Sequence, residues 1–157
     1  MDEGRREGSP YPKADLTLRG LARLADFTIA FGVATSAPAV GPLVAAFYLL
    51  VADGLMHGQS PGKKIFGVKA VDPATRAPAG FQESMLRNAP FALAALFWAL
   101  PLLWPVFFVV GLPIIAYEAW RVWDEPLGRR LGDAFADTQV VDAKVVAGLP
   151  APTSPTS

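Results

Sequence analysis

The chain has 157 residues, 52% of them apolar, with 14 basic and 14 acidic side chains, one histidine and no cysteine. That length suits one compact unit with short tails. The lack of cysteine excludes disulfides, thiolate zinc sites and cysteine nucleophiles, the single histidine argues against a histidine metal cage or catalytic triad, and a net charge of zero without a basic stripe argues against a nucleic-acid partner.

The placement of the charges says more than their number. All 14 Lys and Arg residues lie outside two windows, Leu24 to Gly62 and Asn88 to Trp120, both dominated by Leu, Ala, Val, Phe and Pro. A soluble domain scatters its basic residues over its surface. Here they gather before, between and after two apolar windows, which is the pattern of a multi-pass membrane protein whose basic segments stay on the cytoplasmic side.

In chain order, residues 1–13 read as a disordered tail. The opening MDEGRREGSPYPKAD is polar and acidic, unlike a cleaved leader, so the first apolar segment is expected to be an uncleaved anchor. Asp15 can cap a helix over about 16–35. SAPAVGP then forms a turn, and a second helix runs over about 42–57, short for a span at about 1.5 Å per residue. The following polar stretch contains a strand over about 65–71, stopped by Asp72-Pro73. The second window repeats the plan, with helices over about 84–100 and 105–122 joined by PLLWP. The rival reading is a single helix from Ala89 to Tyr117. At about 44 Å it would be too long for an ordinary bilayer, and it would carry Arg121, Arg129, Arg130 and Lys144 to the outer face. Trp104 at the outer turn and Trp120 and Trp123 at the inner end suit interfacial anchors. A second strand is expected over about 138–146. It should pair with the first, because a lone strand leaves its backbone groups unsatisfied. The final segment, 147–157, reads as a disordered tail.

The predicted architecture is therefore an all-α membrane protein: a four-transmembrane-helix bundle in two hairpins with a small cytoplasmic β-pair. Small residues such as Ala30, Ala34, Ala45 and Ala46 would allow close helix contact. The expected location is the cell (inner) membrane, with both termini cytoplasmic.

Arg19 and Asp26 are seven apart on the first helix and share a face. Asp26 lies within the apolar segment, where a lone acid costs on the order of 2.5–3.5 kcal/mol and so needs a partner or a wet cavity. Asp133 follows the last long helix. On these residues the chain resembles the RDD membrane proteins, named for one Arg and two Asp. Arg19-Gly20-Leu21-Ala22-Arg23-Leu24-Ala25-Asp26 resembles the family's opening R-x-x-A-x-x-x-D helix. The stretch from Gly58 through Ser60, Gly62, Lys63 and Gly67 to Asp72 is similar to its G-x-[ST]-x-G-K-x-x-x-G loop, and Leu86-Arg87-Asn88 falls where that loop ends. Arg130 to Val141 is similar to its closing L-x-D-x-x-A-x-T-x-V-V segment. The departures are a short first hairpin, a Pro-rich second one, and Ala134 where many members carry Arg. The resemblance spans about residues 16–142 and implies a transport role, sodium–proton exchange in some members.

Two readings of Arg19, Asp26 and Asp133 follow. In one they form a transport site in which Arg19 holds Asp133 or an anion while Asp26 takes and releases a proton or cation. In the other they are an ion-pair clamp in a non-transporting scaffold. Arg23, three residues before Asp26, could neutralise it locally. Asp53 and His57, four apart, could relay protons, or His57 could simply face the helix C-terminus and Asp53. Glu118 is expected to be solvated near the inner surface, and Lys63, Lys64 and Lys69 to meet anionic lipid headgroups.

Two motif matches mislead. Gly58-Gln59-Ser60-Pro61-Gly62 fits G-x-S-x-G, but the only His precedes Ser60, and Pro61 has no N–H for an oxyanion hole. Gly62-Lys63 hints at a phosphate loop, yet His57 stands at the required glycine and Lys64 at the Ser/Thr. No enzyme, cofactor or metal is expected. The expected partners are the bilayer's anionic headgroups and, because four helices enclose little space, a second copy or a larger membrane protein.

Overall fold

The structure, a computed structural model, describes residues 9, 11–37 and 39–148. Helix α1 (Leu16–Ser36) begins at Asp15, whose carboxylate accepts from the Thr17 and Leu18 N–H groups, satisfying donors that every helix start leaves free. Helix α2 (Gly41–Val51) continues as a 3₁₀ turn (Ala52–Gly54). It ends earlier than the sequence predicts. His57 sits beyond it in a turn with φ 54°, exposed, while Asp53 points inward. The two therefore do not share a helix face.

Ser60 caps a short helix, α3 (Pro61–Ile65), by accepting from the Lys63 N–H. The pattern Ser-Pro-Gly starts this helix with an N-cap and a proline at its first position, so Ile65 and Phe66 belong to it and to its end. Strand β1 is accordingly only Val68–Val71. Helix α4 (Phe81–Ala99) follows, and a helical segment α5 (Pro101–Asp124) comes after a break at Leu100, which is extended. The break means that Ala89 to Tyr117 is not one continuous helix, as the prolines at 101 and 105 require. Within α5 the stretch Phe107–Gly111 widens to a π-helical turn. The Leu112 N–H reaches Phe107 O there, and Pro113 cannot donate to restore the tighter register. Helix α6 (Leu131–Phe135), strand β2 (Gln139–Asp142) and helix α7 (Ala143–Gly148) complete the chain. Residues 143–146 are thus helical rather than strand.

The strands pair antiparallel, Val68 opposite Asp142 and Val71 opposite Gln139. Strand periodicity then sorts the sheet into two faces. Val68 and Val140 pack on Ala14, Ala22 and Leu18 at the start of α1. Val71 and Val141 pack on Tyr11, Val145 and Val146. Tyr11 is buried, and Lys13 donates to the carbonyls of Trp123 and Glu125. Tyr11 and Lys13, within the expected tail, are thus packed on the domain, while its residues 1–8 and 10, like 149–157 at the other end, lie outside the described residues.

Helix α2 packs on α1 and on α4, and α4 packs on α5. Ala30, Ala45 and Leu49 form the α1–α2 contact, with Ala34 beside them. Trp98 stacks on Trp104 at the α4–α5 turn, with ring centroids 5.6 Å apart. The whole is a helical domain with a small two-stranded sheet at one end. Among the described residues, one helix, Pro101–Asp124, is long and apolar enough to cross a membrane.

Candidate functional site

Between the helices and the sheet lies a buried lattice of charges. It is built from polar side chains that fall on one face of each element. On α4, Ser84, Arg87 and Asn88 stand at helical spacings of three and four and are all fully buried.

Arg87 is the hub. Its Nη2 is 2.7 Å from Asp133 Oδ1 and its Nε 3.5 Å from Asp53 Oδ2. Asp53 also meets Lys63 Nζ at 2.6 Å and accepts from Asn88 Nδ2 at 3.1 Å. Asp133 is held by two further guanidinium groups, Arg19 at 3.2 Å and Arg130 at 3.1 Å. Arg19 also donates to Gly128 O. Residues from α1, the end of α2, α3, α4 and α6 are thereby joined in one network. Glu118, on α5, is buried rather than solvated. It accepts from the N–H groups of Leu131 and Gly132, a carboxylate placed on the positive end of α6.

Asp26 stands apart from the arginines. Ser60 Oγ–H, the Gly62 N–H at 2.9 Å and Tyr48 O–H at 3.2 Å all donate to it. Arg23 makes no salt bridge with it and attracts it only from a distance. The Arg23 guanidinium donates to Asn88 Oδ1 and lies over the Phe91 ring at 4.8 Å. Two glycines permit these approaches. A Cβ on Gly62 would stand 2.2 Å from Ala22 O, and one on Gly132 would stand 2.2 Å from Arg87 O.

The structure thus brings Arg19 to Asp133, sets Asp26 against the Ser60-to-Gly62 loop, and leaves His57 outside. Gly67, at φ 68°, turns the chain into β1, and its carbonyl accepts from Ala143 N. Lys63 is buried on Asp53 rather than turned to lipid; Lys64 is exposed and Lys69 half-buried. Arg87, Arg130 and Asn88 join the site without having been singled out as site residues. The buried Ser84-Arg87-Asn88 spacing was the available signal. Ser60 is committed as a helix cap and an Asp26 donor.

Burial alone would raise the Asp133 pKa, but Arg130, Arg87 and Arg19 hold it well below the ordinary carboxylate range. The folded value is thus below the unfolded value of about 3.9. Its contribution to stability is present above that unfolded value and is lost as pH falls through the folded one. The melting temperature should therefore carry no Asp133-linked loss between pH 8 and 5, with a decline only below about pH 4. Acid titration of an Asp133→Asn variant followed by melting checks this. An acid limb identical to that of the parent would refute the assignment.

A helical domain with one membrane-length helix and buried Asp residues in salt bridges is consistent with a membrane-associated protein. The model of the RDD family matches residues 14–137, and the chain belongs to that family. No curated protein and no solved structure matches it. Family membership and the α5 segment together support a membrane location.

Proposed function

We propose that this chain is a multi-pass membrane scaffold in which α1, α2, α4 and α5 cross the bilayer and the charge lattice is a structural clamp. The sheet, α3, α6 and both ends of the described chain lie on the cytoplasmic side. Support for the topology comes from polarity that is inverted relative to a soluble domain. Asp and Arg are buried, while Leu24, Phe31, Phe47, Leu102 and Val109 are each more than 60% exposed. Exposed apolar area of this kind suits lipid. Helix α2 with its 3₁₀ turn covers Gly41–Gly54, about 21 Å, and spans by local thinning of the bilayer. A scaffold of this size works with a second copy of itself or a larger membrane protein.

The observation that carries the clamp reading is the state of Asp26. It is 1% exposed and accepts from three donors. A proton- or ion-coupling carboxylate needs a wet path and a reason to change charge, whereas this one ties α1 to α3 and α2. Asp26→Asn should therefore lower stability by about 1–3 kcal/mol. Wild-type protein reconstituted in vesicles should show no cation-driven proton flux. Flux in the wild type, abolished in Asp26→Asn with unchanged melting, would replace the scaffold with a transporter. Protease protection of tags at either end tests the topology separately.

A further inference from the structure

Helices α1 and α5 do not pack along their length; they form the walls of a half-open cleft of about 380 Å³. Its lining has an uneven composition. Four cations, Arg19, Arg23, Lys63 and Arg130, face it, and no carboxylate does. The acids of the lattice stand behind them. Arg19 and Arg130 are backed by Asp133, and Lys63 by Asp53. Arg23 makes no salt bridge among the described residues; Asp53 and Asp26 attract it only from a greater distance. Its one hydrogen bond goes to a neutral amide, and it shares the Phe91 ring with Arg130, at 4.8 Å and 5.0 Å respectively. Two guanidinium groups against one ring, of which only Arg130 has a carboxylate in salt-bridge contact, leave the face of the cleft positive. The rest of the lining is apolar, with Phe27 on one wall and Ile115 on the other.

We propose that this cleft binds one anionic phospholipid, its phosphodiester at Arg23 and the neighbouring cations and an acyl chain between α1 and α5. The proposal rests on the reading of α1 and α5 as bilayer-spanning. Basic pockets between spanning helices near the cytoplasmic face are suited to phosphate headgroups. The apolar walls select the lipid over a free anion. Inorganic phosphate would meet the guanidinium groups but leave most of the cleft unfilled, whereas a lipid already in the bilayer fills it with an acyl chain while its phosphodiester meets the cations.

Native mass spectrometry of the full chain, released from nanodiscs of phosphatidylglycerol or of phosphatidylcholine, tests this. One phosphatidylglycerol should be retained per chain, with retention weakened about tenfold in Arg23→Gln, the loss of one charge-assisted hydrogen bond. Lys64→Gln, which removes an exposed cation, should behave like the parent. Ile115→Trp, which fills the cleft while keeping every cation, should also lose the lipid, and it serves if Arg23→Gln fails to assemble. Equal retention of phosphatidylcholine, equal losses in Arg23→Gln and Lys64→Gln, or displacement of the lipid by millimolar inorganic phosphate would each overturn the proposal. A chain that does not enter nanodiscs at all would instead refute the bilayer-spanning reading.

Discussion

An Arg87→Met variant is expected to lose about 3–5 kcal/mol, the penalty for breaking a buried ion pair from one side. Total stabilities run at about 5–15 kcal/mol, so this one change removes roughly a fifth of the margin or more. The reason is position. Arg87 is fully buried and stands between Asp53 and Asp133, so its loss leaves two carboxylates in low dielectric with a shared cation gone. Lys63 still neutralises Asp53, and Arg19 and Arg130 still hold Asp133, which is why the expected loss stays within that range. Size-exclusion profiles and melting in detergent read the effect. The Arg87→Met/Asp133→Asn double variant should recover none of it, because the second change strands Arg19 and Arg130, which both pair with Asp133. A single variant that melts with the parent would mean that Arg87 is a passenger in the lattice.

Gly62→Ala is the second large effect. The new Cβ would meet Ala22 O at 2.2 Å and Asp26 Oδ1 at 2.8 Å. Ala22 is fully buried in α1, so the strain must be relieved by moving α3 outward. That movement also lengthens the Gly62 N–H bond to Asp26 and the Ser60 contact beside it. Overpacking of this kind costs about 1–3 kcal/mol before the hydrogen bonds are counted. Gly20→Ala provides the comparison, since nothing lies within 4 Å of its added Cβ. There the gain in helix propensity, up to about 1 kcal/mol, is the only term. The two variants should shift Tm in opposite directions; parallel shifts would remove the argument for close approach at Gly62.

What could be read from the sequence follows from which forces are local. The Asp15 cap, the extent of α1, the break at the prolines after Leu100 and the pairing of 68–71 with 139–142 depend on nearby residues or on period-two alternation. The meeting of Arg19 with Asp133 was legible from their motifs. Lys63 and Glu118 were misread for one reason. Each sits at the edge of an apolar segment, where composition alone suggests water or headgroups, while the tertiary fold brings a partner from another element: Asp53 for Lys63, the start of α6 for Glu118. Arg87 shows the same limit. Helical spacing tells which residues share a face, not what that face will meet. The early end of α2 did carry a local signal, the Asp53-Gly54 turn pair, which the apolar Leu55 and Met56 beyond it masked.

Arg19 and its acceptor Asp133 are 114 residues apart in the chain. At about 5–20 residues per second, a ribosome needs roughly 6–23 s to make that interval. If α1 enters the bilayer as it emerges, it must wait there with its guanidinium unmatched, reaching to the interface along its apolar stem. The lattice closes only when the last fifth of the protein arrives. Nascent chains stalled before residue 133 should therefore be more exposed to membrane quality-control proteases than chains released just after it, so that the final segment acts as a latch on everything inserted earlier.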